Sequence, residues 1–168
     1  LAQCSAFIVP AEQAAPLHVA VLAHSPGYPD VIGLPILHGR GFRTQDGEAG
    51  NETAVVTREF AAKFSPHRPV LGTRFRFYDN RTKAGGPWIT VIGVSEKMVQ
   101  SGEEAVEPPL VFIPLRQDPM RIASLLVRSA VDPAALAPLV RAAVQSIEPD
   151  LPLFDALTLR EAMQRRRW

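Results

Sequence analysis

The amino-acid sequence predicts an α+β fold, with helices layered on a sheet. Three observations carry this expectation. Short runs of alternating apolar residues, the signature of strands, are interspersed with segments of helical periodicity. The C-terminal third has the grammar strand, helix, strand, and two halves built on that grammar are possible. Hydrophobic residues make up 46% of the 168 and charged residues 21%, a globular balance with enough apolar side chains for a core.

Residues 1–16 are rich in alanine and carry little pattern. Residues 17–25 read as a strand in which Leu17, Val19 and Val21 alternate with His18, Ala20 and Leu22. Ser25-Pro26-Gly27 breaks it. A single helical turn over 28–33 and a short extended piece over 35–37 follow, then Gly39-Arg40-Gly41-Phe42 and a polar loop over 44–52. Residues 53–56 form a short strand. Thr57 has the chemistry of an N-cap, and the helix after it places Phe60 and Phe64 on one face. Ser65-Pro66 ends that helix.

Residues 71–78 form a strand with Leu71, Thr73, Phe75 and Phe77 on one side, and 79–87 form a hydrophilic hairpin loop containing Gly85-Gly86. Residues 88–94 are apolar on both faces, as in a central strand covered twice. A long loop over 97–109, acidic at Glu103, Glu104 and Glu107, leads to a strand over 110–115. Another strand covers 122–128. Asp132 then serves as N-cap and Pro133 as the first helical residue, where a missing N–H costs nothing. Leu136, Leu139, Val140, Ala143, Val144 and Ile147 make one apolar stripe expected to face a sheet. Residues 153–157 form a last strand, and Thr158 to Glu161 has capping-box spacing ahead of a final helix.

The search for chemistry finds no motif that outweighs an ordinary structural role. Eighteen basic residues against 17 acidic leave a net charge of +1, too little for a nucleic-acid binder. Cys4, the one cysteine, excludes an internal disulfide and a cysteine-based zinc site, and reads as a small buried or frayed residue. His18 and His24 share a strand face but lie roughly 20 Å apart at ~3.3 Å per residue, too far for one zinc ion. His38 could neighbour His24 across strands without a third ligand, so the histidines read as polar-face residues. Ser25 beside His24 is no catalytic pair, since strand neighbours point to opposite faces. Neither glycine cluster continues into a nucleotide-binding motif. The expectation is no catalytic residue, no cofactor and no metal. Arg165-Arg166-Arg167-Trp168 suits either a membrane interface or a solvated helix end. No apolar run approaches the ~18 residues of a transmembrane helix and no signal peptide is recognisable, so the chain is expected to begin inside a longer protein.

Four segments in order resemble the periplasmic core domain of MacB-type and FtsX-like permeases. The first is Ser25-Pro26-Gly27-Tyr28 through Ile32-Gly33-Leu34-Pro35-Ile36-Leu37 to Gly39-Arg40-Gly41-Phe42, which departs from the family with Pro29 where an aromatic is usual. The second is Ala54-Val55-Val56-Thr57-Arg58-Glu59-Phe60-Ala61-Ala62-Lys63-Phe64 with Leu71-Gly72-Thr73-Arg74-Phe75. The third is Trp88-Ile89-Thr90-Val91-Ile92-Gly93-Val94, and the fourth runs from Leu125-Leu126-Val127-Arg128 to Leu159-Arg160-Glu161-Ala162.

The resemblance covers about residues 18–167 and implies a two-lobed α+β domain. Residues 1–45 and 118–168 would form a porter-like lobe of strand–helix–strand units, and residues 46–117 an inserted Sabre-like α/β lobe. It implies a non-catalytic domain on the periplasmic or extracellular side of a bacterial cytoplasmic-membrane permease that works in export or efflux. Its partners would be a cytoplasmic ABC ATPase acting through the transmembrane helices, a second permease copy, and a periplasmic adaptor or lipoprotein. The alternative is an FtsX-like regulatory or lipoprotein-handling module that controls a periplasmic partner. On either view the cluster at Arg165 to Trp168 falls where a transmembrane helix begins.

Overall fold

The computed structural model describes residues 4–11, 16–79, 81–82, 84–98, 108–118, 123–154 and 156–165. The chain divides into two compact units, Leu1–Leu126 and Val127–Trp168. The first unit holds eight strands: β1 (Cys4–Pro10), β2 (Leu17–His24), β3 (Ile36–Gly39), β4 (Thr53–Thr57), β5 (Arg74–Asp79), β6 (Ala84–Gly85), β7 (Ile89–Ser95) and β8 (Leu110–Pro114). It also holds helices α1 (Tyr28–Ile32) and α2 (Arg58–Phe64). The expected mixture of strand and helix is therefore present.

The strands form one mixed sheet in the order β3-β7-β4-β8-β2-β1-β5-β6, and a further pairing of β5 with β7 closes six of them into a ring. Inside the ring, every second residue of each strand meets in one apolar cluster: Ile8, Val19, Val21, Ala54, Val56, Phe75, Ile89, Val91, Val111 and Ile113. Alternation of side chains along a strand makes this possible, since residues i and i+2 line the same face. Helix α2 adds Phe60 and Phe64 to the cluster, stacked at 4.8 Å. Thr57 caps α2, its side chain accepting the Phe60 N–H as its sequence position predicts. The opposite face carries a second cluster. There Ala20, Leu22, Val55, Leu110 and Phe112 are covered by Tyr28 and Phe42. β7 contributes Ile92 to that cluster and Val91 to the inner one, as a strand covered twice must.

The structure corrects several expectations. Residues 4–10, read as patternless, form β1, which pairs with β2 on one side and β5 on the other. Its identity as a strand comes from those two ladders, which no local pattern announces. Residues 71–73 precede the strand expected to start there, because the Thr73 N–H and Oγ1–H both return to the Val70 carbonyl in a turn. Cys4 opens a strand and is exposed, neither buried nor frayed. β2 pairs in parallel with β8 over five residues.

The second unit contains α3 (Pro133–Ile147) and α4 (Leu159–Arg165). The capping box of α4 forms as its spacing predicts. Glu161 accepts the Thr158 N–H at 2.8 Å, and the Thr158 hydroxyl accepts the Glu161 N–H at 3.3 Å. The strands expected over 122–128 and 153–157 are absent among their described residues, 123–128, 153–154 and 156–157. A strand exists only with a ladder partner, and no partner pairs with either segment among the described residues. Among the described residues of its unit, the α3 stripe has no sheet to face. Leu136, Val140 and Val144 are half-buried, while Leu139 and Ile147 are 64% and 84% exposed. Periodicity reports which face of a helix favours burial, not what is there to cover it. The acidic loop at Glu103, Glu104 and Glu107 lies outside the described residues, as does most of the Arg165 to Trp168 cluster.

Candidate functional site

The clearest built site in the first unit lies where β2 turns into α1. Ser25-Pro26-Gly27 ends the strand, and Pro29 at the start of α1 needs no N–H partner. The turn brings Tyr28 back over His24. The His24 ring stacks on Tyr28 at 4.8 Å and meets Phe42 at 4.9 Å and Phe112 at 5.3 Å. His24 is thus 6% exposed, not the polar-face residue expected of it. The β2 alternation correctly put His18 and His24 on one face, but the aromatic cover reaches only the His24 end, and His18 is exposed. His38 lies on edge strand β3, with β7, β4 and β8 between it and β2. The histidines are not brought together, and no group of three metal-ligating side chains occurs among the described residues.

His24 Nδ1 lies 2.7 Å from the Ser25 carbonyl oxygen. A carbonyl only accepts, so Nδ1 carries the proton and Nε2 is the acceptor of a neutral ring. Burial lowers the His24 pKa below the ordinary value, only partly offset by the bond to Ser25. That bond goes to the backbone, so Ser25 and His24 do not form a nucleophile–base pair through it. Beside the ring a cavity of about 210 Å³ is bounded by Leu22, His24, Tyr28, Val31, Leu115 and Leu126. Its lining is mainly apolar, with His24, Ser25, Tyr28 and Ser124 as the polar residues at its wall.

Phe42 is held over His24 by a clamp that the sequence did not advertise. Arg40 donates from Nη1 and Nη2 to the two carboxylate oxygens of Asp46, at 2.5 and 3.0 Å, and the Arg43 N–H donates to the same group at 2.7 Å. The Asp46 side chain is 2% exposed, and the Arg40 bonds hold its carboxyl below the usual carboxylate range. The available signal was the pair Arg40 and Asp46 bracketing Phe42, six residues apart in a polar loop.

The neutral state of His24 has a measurable consequence. The unfolded chain takes up a proton near its ordinary pKa of about 6.5, and the folded chain does so only at lower pH. Stability from this group is therefore full above that value and declines as pH falls through it. Of the rings packed on His24 only Tyr28 titrates, and burial raises its pKa, leaving it silent in this range. The urea midpoint of the parent chain is expected to fall between pH 7.5 and 5.5 by more than that of H24Q. Equal pH slopes for the two proteins would contradict the neutral, buried histidine.

Comparison with known proteins adds the following. The family model described as MacB-like periplasmic core domain matches residues 5–147. The periplasmic region of MacB from Actinobacillus actinomycetemcomitans superposes with a TM-score of 0.58 at 16% identity, over 96% of this chain and 72% of that one. A domain of a protein described as a permease from Porphyromonas gingivalis gives a TM-score of 0.58 at 18% identity, over 96% and 77% of the two chains. At these identities the likeness is one of fold. A search of curated proteins finds no match.

Proposed function

The chain belongs to the MacB-like periplasmic core domain family, and from that premise we propose that it is the extracytoplasmic domain of an ABC-transporter permease, relaying ATPase-driven motion to a substrate or partner outside the membrane. The observation that carries this reading is the extent of the family match, residues 5–147, which runs through all eight strands and α1 to α3. The cytoplasmic ATPase, a second permease copy and an adaptor or lipoprotein partner belong to the same proposal, as does a non-catalytic role. Within this reading we set the boundary between lobes after Leu126, in place of 45/46 and 117/118. β2 and β8 share a ladder and would not survive separation into different lobes.

The test uses the full-length protein that carries this chain, in an otherwise cysteine-free background. A49C, at an exposed loop position, is expected to react with a membrane-impermeant maleimide in spheroplasts before lysis. A spin label there is expected to change its mobility or its distance to the second copy when the ATPase binds ATP. Labelling only after lysis would remove the extracytoplasmic placement. An unchanged label would leave a static module that binds and controls a partner.

A further inference from the structure

The outer face of the sheet is covered by Tyr28 and Phe42 near β2 and β8 but is open among the described residues of the first unit toward β5 and β6, and we propose that this part is a docking surface for an acidic protein segment. The assignment rests on the patch alone and is independent of the transport reading.

Phe75 of β5 is buried in the inner cluster and Phe77 packs against it, so Arg74, Arg76 and Tyr78 emerge on the opposite face. Ladder register places Thr90 beside Arg74, Val9 beside Arg76 and Phe7 beside Tyr78. Trp88 stands at the start of β7, 40% exposed, and Phe7 is 38% exposed. The Arg76 guanidinium lies 5.0 Å from the Trp88 ring centroid and that of Arg74 lies 6.0 Å from it. Among the described residues neither arginine has a carboxylate partner. Arg76 Nε is moreover buried with no acceptor. Its side chain is pressed along the β6 backbone, where a Cβ on Gly85 would stand 2.6 Å from Arg76 Cδ and Nε. The absence of a side chain at Gly85 is what lets the guanidinium lie there.

Two guanidiniums against one indole, with no carboxylate partner among the described residues, form an electrostatically incomplete group. The ring attracts both cations, and the cations repel each other. A bound carboxylate on each completes it, since the guanidinium fork matches a carboxylate in two-point geometry. Arg74 and Arg76, two residues apart on a strand, are spaced by roughly 7 Å. Two acidic residues separated by one residue in an extended segment have the same spacing. The exposed Trp88, Phe7 and Arg74, with the half-buried Tyr78 and Arg76, also match the side chains that dominate protein–protein contacts. A lipid surface fits less well, because recognition of anionic membranes takes clusters of about four to eight basic residues. The neighbouring acid, Asp79, is engaged with the backbone N–H groups of Arg81 and Thr82 and does not neutralise the pair.

The experiment is performed on the whole chain carrying W168F, which leaves Trp88 as the sole indole. The probe is the peptide acetyl-Ser-Glu-Phe-Glu-Ser-amide, with the Gln-for-Glu peptide as control, and the readouts are the Trp88 indole N–H resonance and indole fluorescence. The acidic peptide at millimolar concentration is expected to shift both signals, with the control at least tenfold weaker. R74Q is expected to weaken binding about tenfold, the loss of one charge-assisted pair. Arg74 is exposed, so R74Q tests the surface without risk to folding; R76Q is added with its urea midpoint as a check. No shift with the acidic peptide, or an equal shift with both peptides, overturns the proposal. So does a Trp88 shift caused by phosphatidylglycerol vesicles but not by the peptide, since the surface would then meet lipid.

Discussion

Replacing Gly39 by alanine is expected to destabilise the domain by about 3–5 kcal/mol, because two costs coincide there. Gly39 and Gly93 are partners in the β3–β7 ladder. Gly39 has φ +72, and a Cβ on it would stand 2.3 Å from the Ile92 carbonyl oxygen and 2.9 Å from Leu71 Cδ2. The left-handed backbone conformation alone costs a non-glycine residue about 1–2 kcal/mol. The clash is with backbone, which no rotamer change can relieve. It falls on the carbonyl that accepts the Arg40 N–H at 3.0 Å, so separating the strands also loosens that bond. Gly93 mirrors the arrangement: a Cβ there would lie 2.2 Å from the Arg40 carbonyl oxygen. G93A is expected to cost about 2–3 kcal/mol through overpacking alone. Gly33 supplies the control. It shares a φ of 72 but has open space around its Cβ position, so G33A carries only the conformational cost, about 1–2 kcal/mol. Urea unfolding of the three variants checks the ordering. If G39A and G33A had the same midpoint, the strands would not approach as closely as described.

The contrast between these glycines shows what was readable in the sequence. The run from Ser25 to Phe42 stood out as a block, and it folds as one corner, with β2 ending at His24, α1 returning Tyr28, and β3 leading to the clamped Phe42. Thr57 with Phe60 and Phe64, and Thr158 with Glu161, were legible because caps and helical spacing act over three or four residues. The ladder that made Gly39 and Gly93 partners was not, since it joins positions more than fifty residues apart. β1 escaped notice because its strand character rests on ladders to β2 and β5 rather than on a local pattern. The strands expected over 122–128 and 153–157 err in the opposite direction: their composition suits a strand, but composition supplies no partner. At the site, His24 was assigned to the correct face of β2 and the wrong environment. Alternation gives a side chain its direction, while its cover comes from Tyr28, Phe42 and Phe112, in three different parts of the chain. Arg74, Arg76 and Trp88 looked like parts of ordinary strands until the β5–β7 pairing set them side by side.

That same pairing is the reason Phe75 is expected to be the costliest core residue to truncate. Phe75 is fully buried, and its ring contacts those of Phe60, Phe64 and Phe77 at 6.1, 6.4 and 6.0 Å. It is paired with Ile89 on β7 and with Pro10 on β1, so it sits where the ring of strands closes and where α2 packs. F75A removes the ring shared by these contacts. Phe-to-Ala changes in cores cost about 3–5 kcal/mol, a large part of the 5–15 kcal/mol that ordinarily separates folded from unfolded chains. F75L keeps most of the volume and is expected to cost under about 1.5 kcal/mol. F7A, at an exposed position of β1, is expected to cost about 0.5 kcal/mol or less. Denaturant midpoints give the three values directly, and a cost below 1 kcal/mol for F75A would mean that β5 does not close the ring. The double variant F60A/F75A sharpens the test, because rings in contact couple by about 0.5–3 kcal/mol whereas separate sites simply add. β5 turns Phe75 inward and Arg74 and Arg76 outward on successive residues. Loosening the closure with F75L should therefore also move the Trp88 indole signal, tying the order of the outer patch to the packing of the inner core.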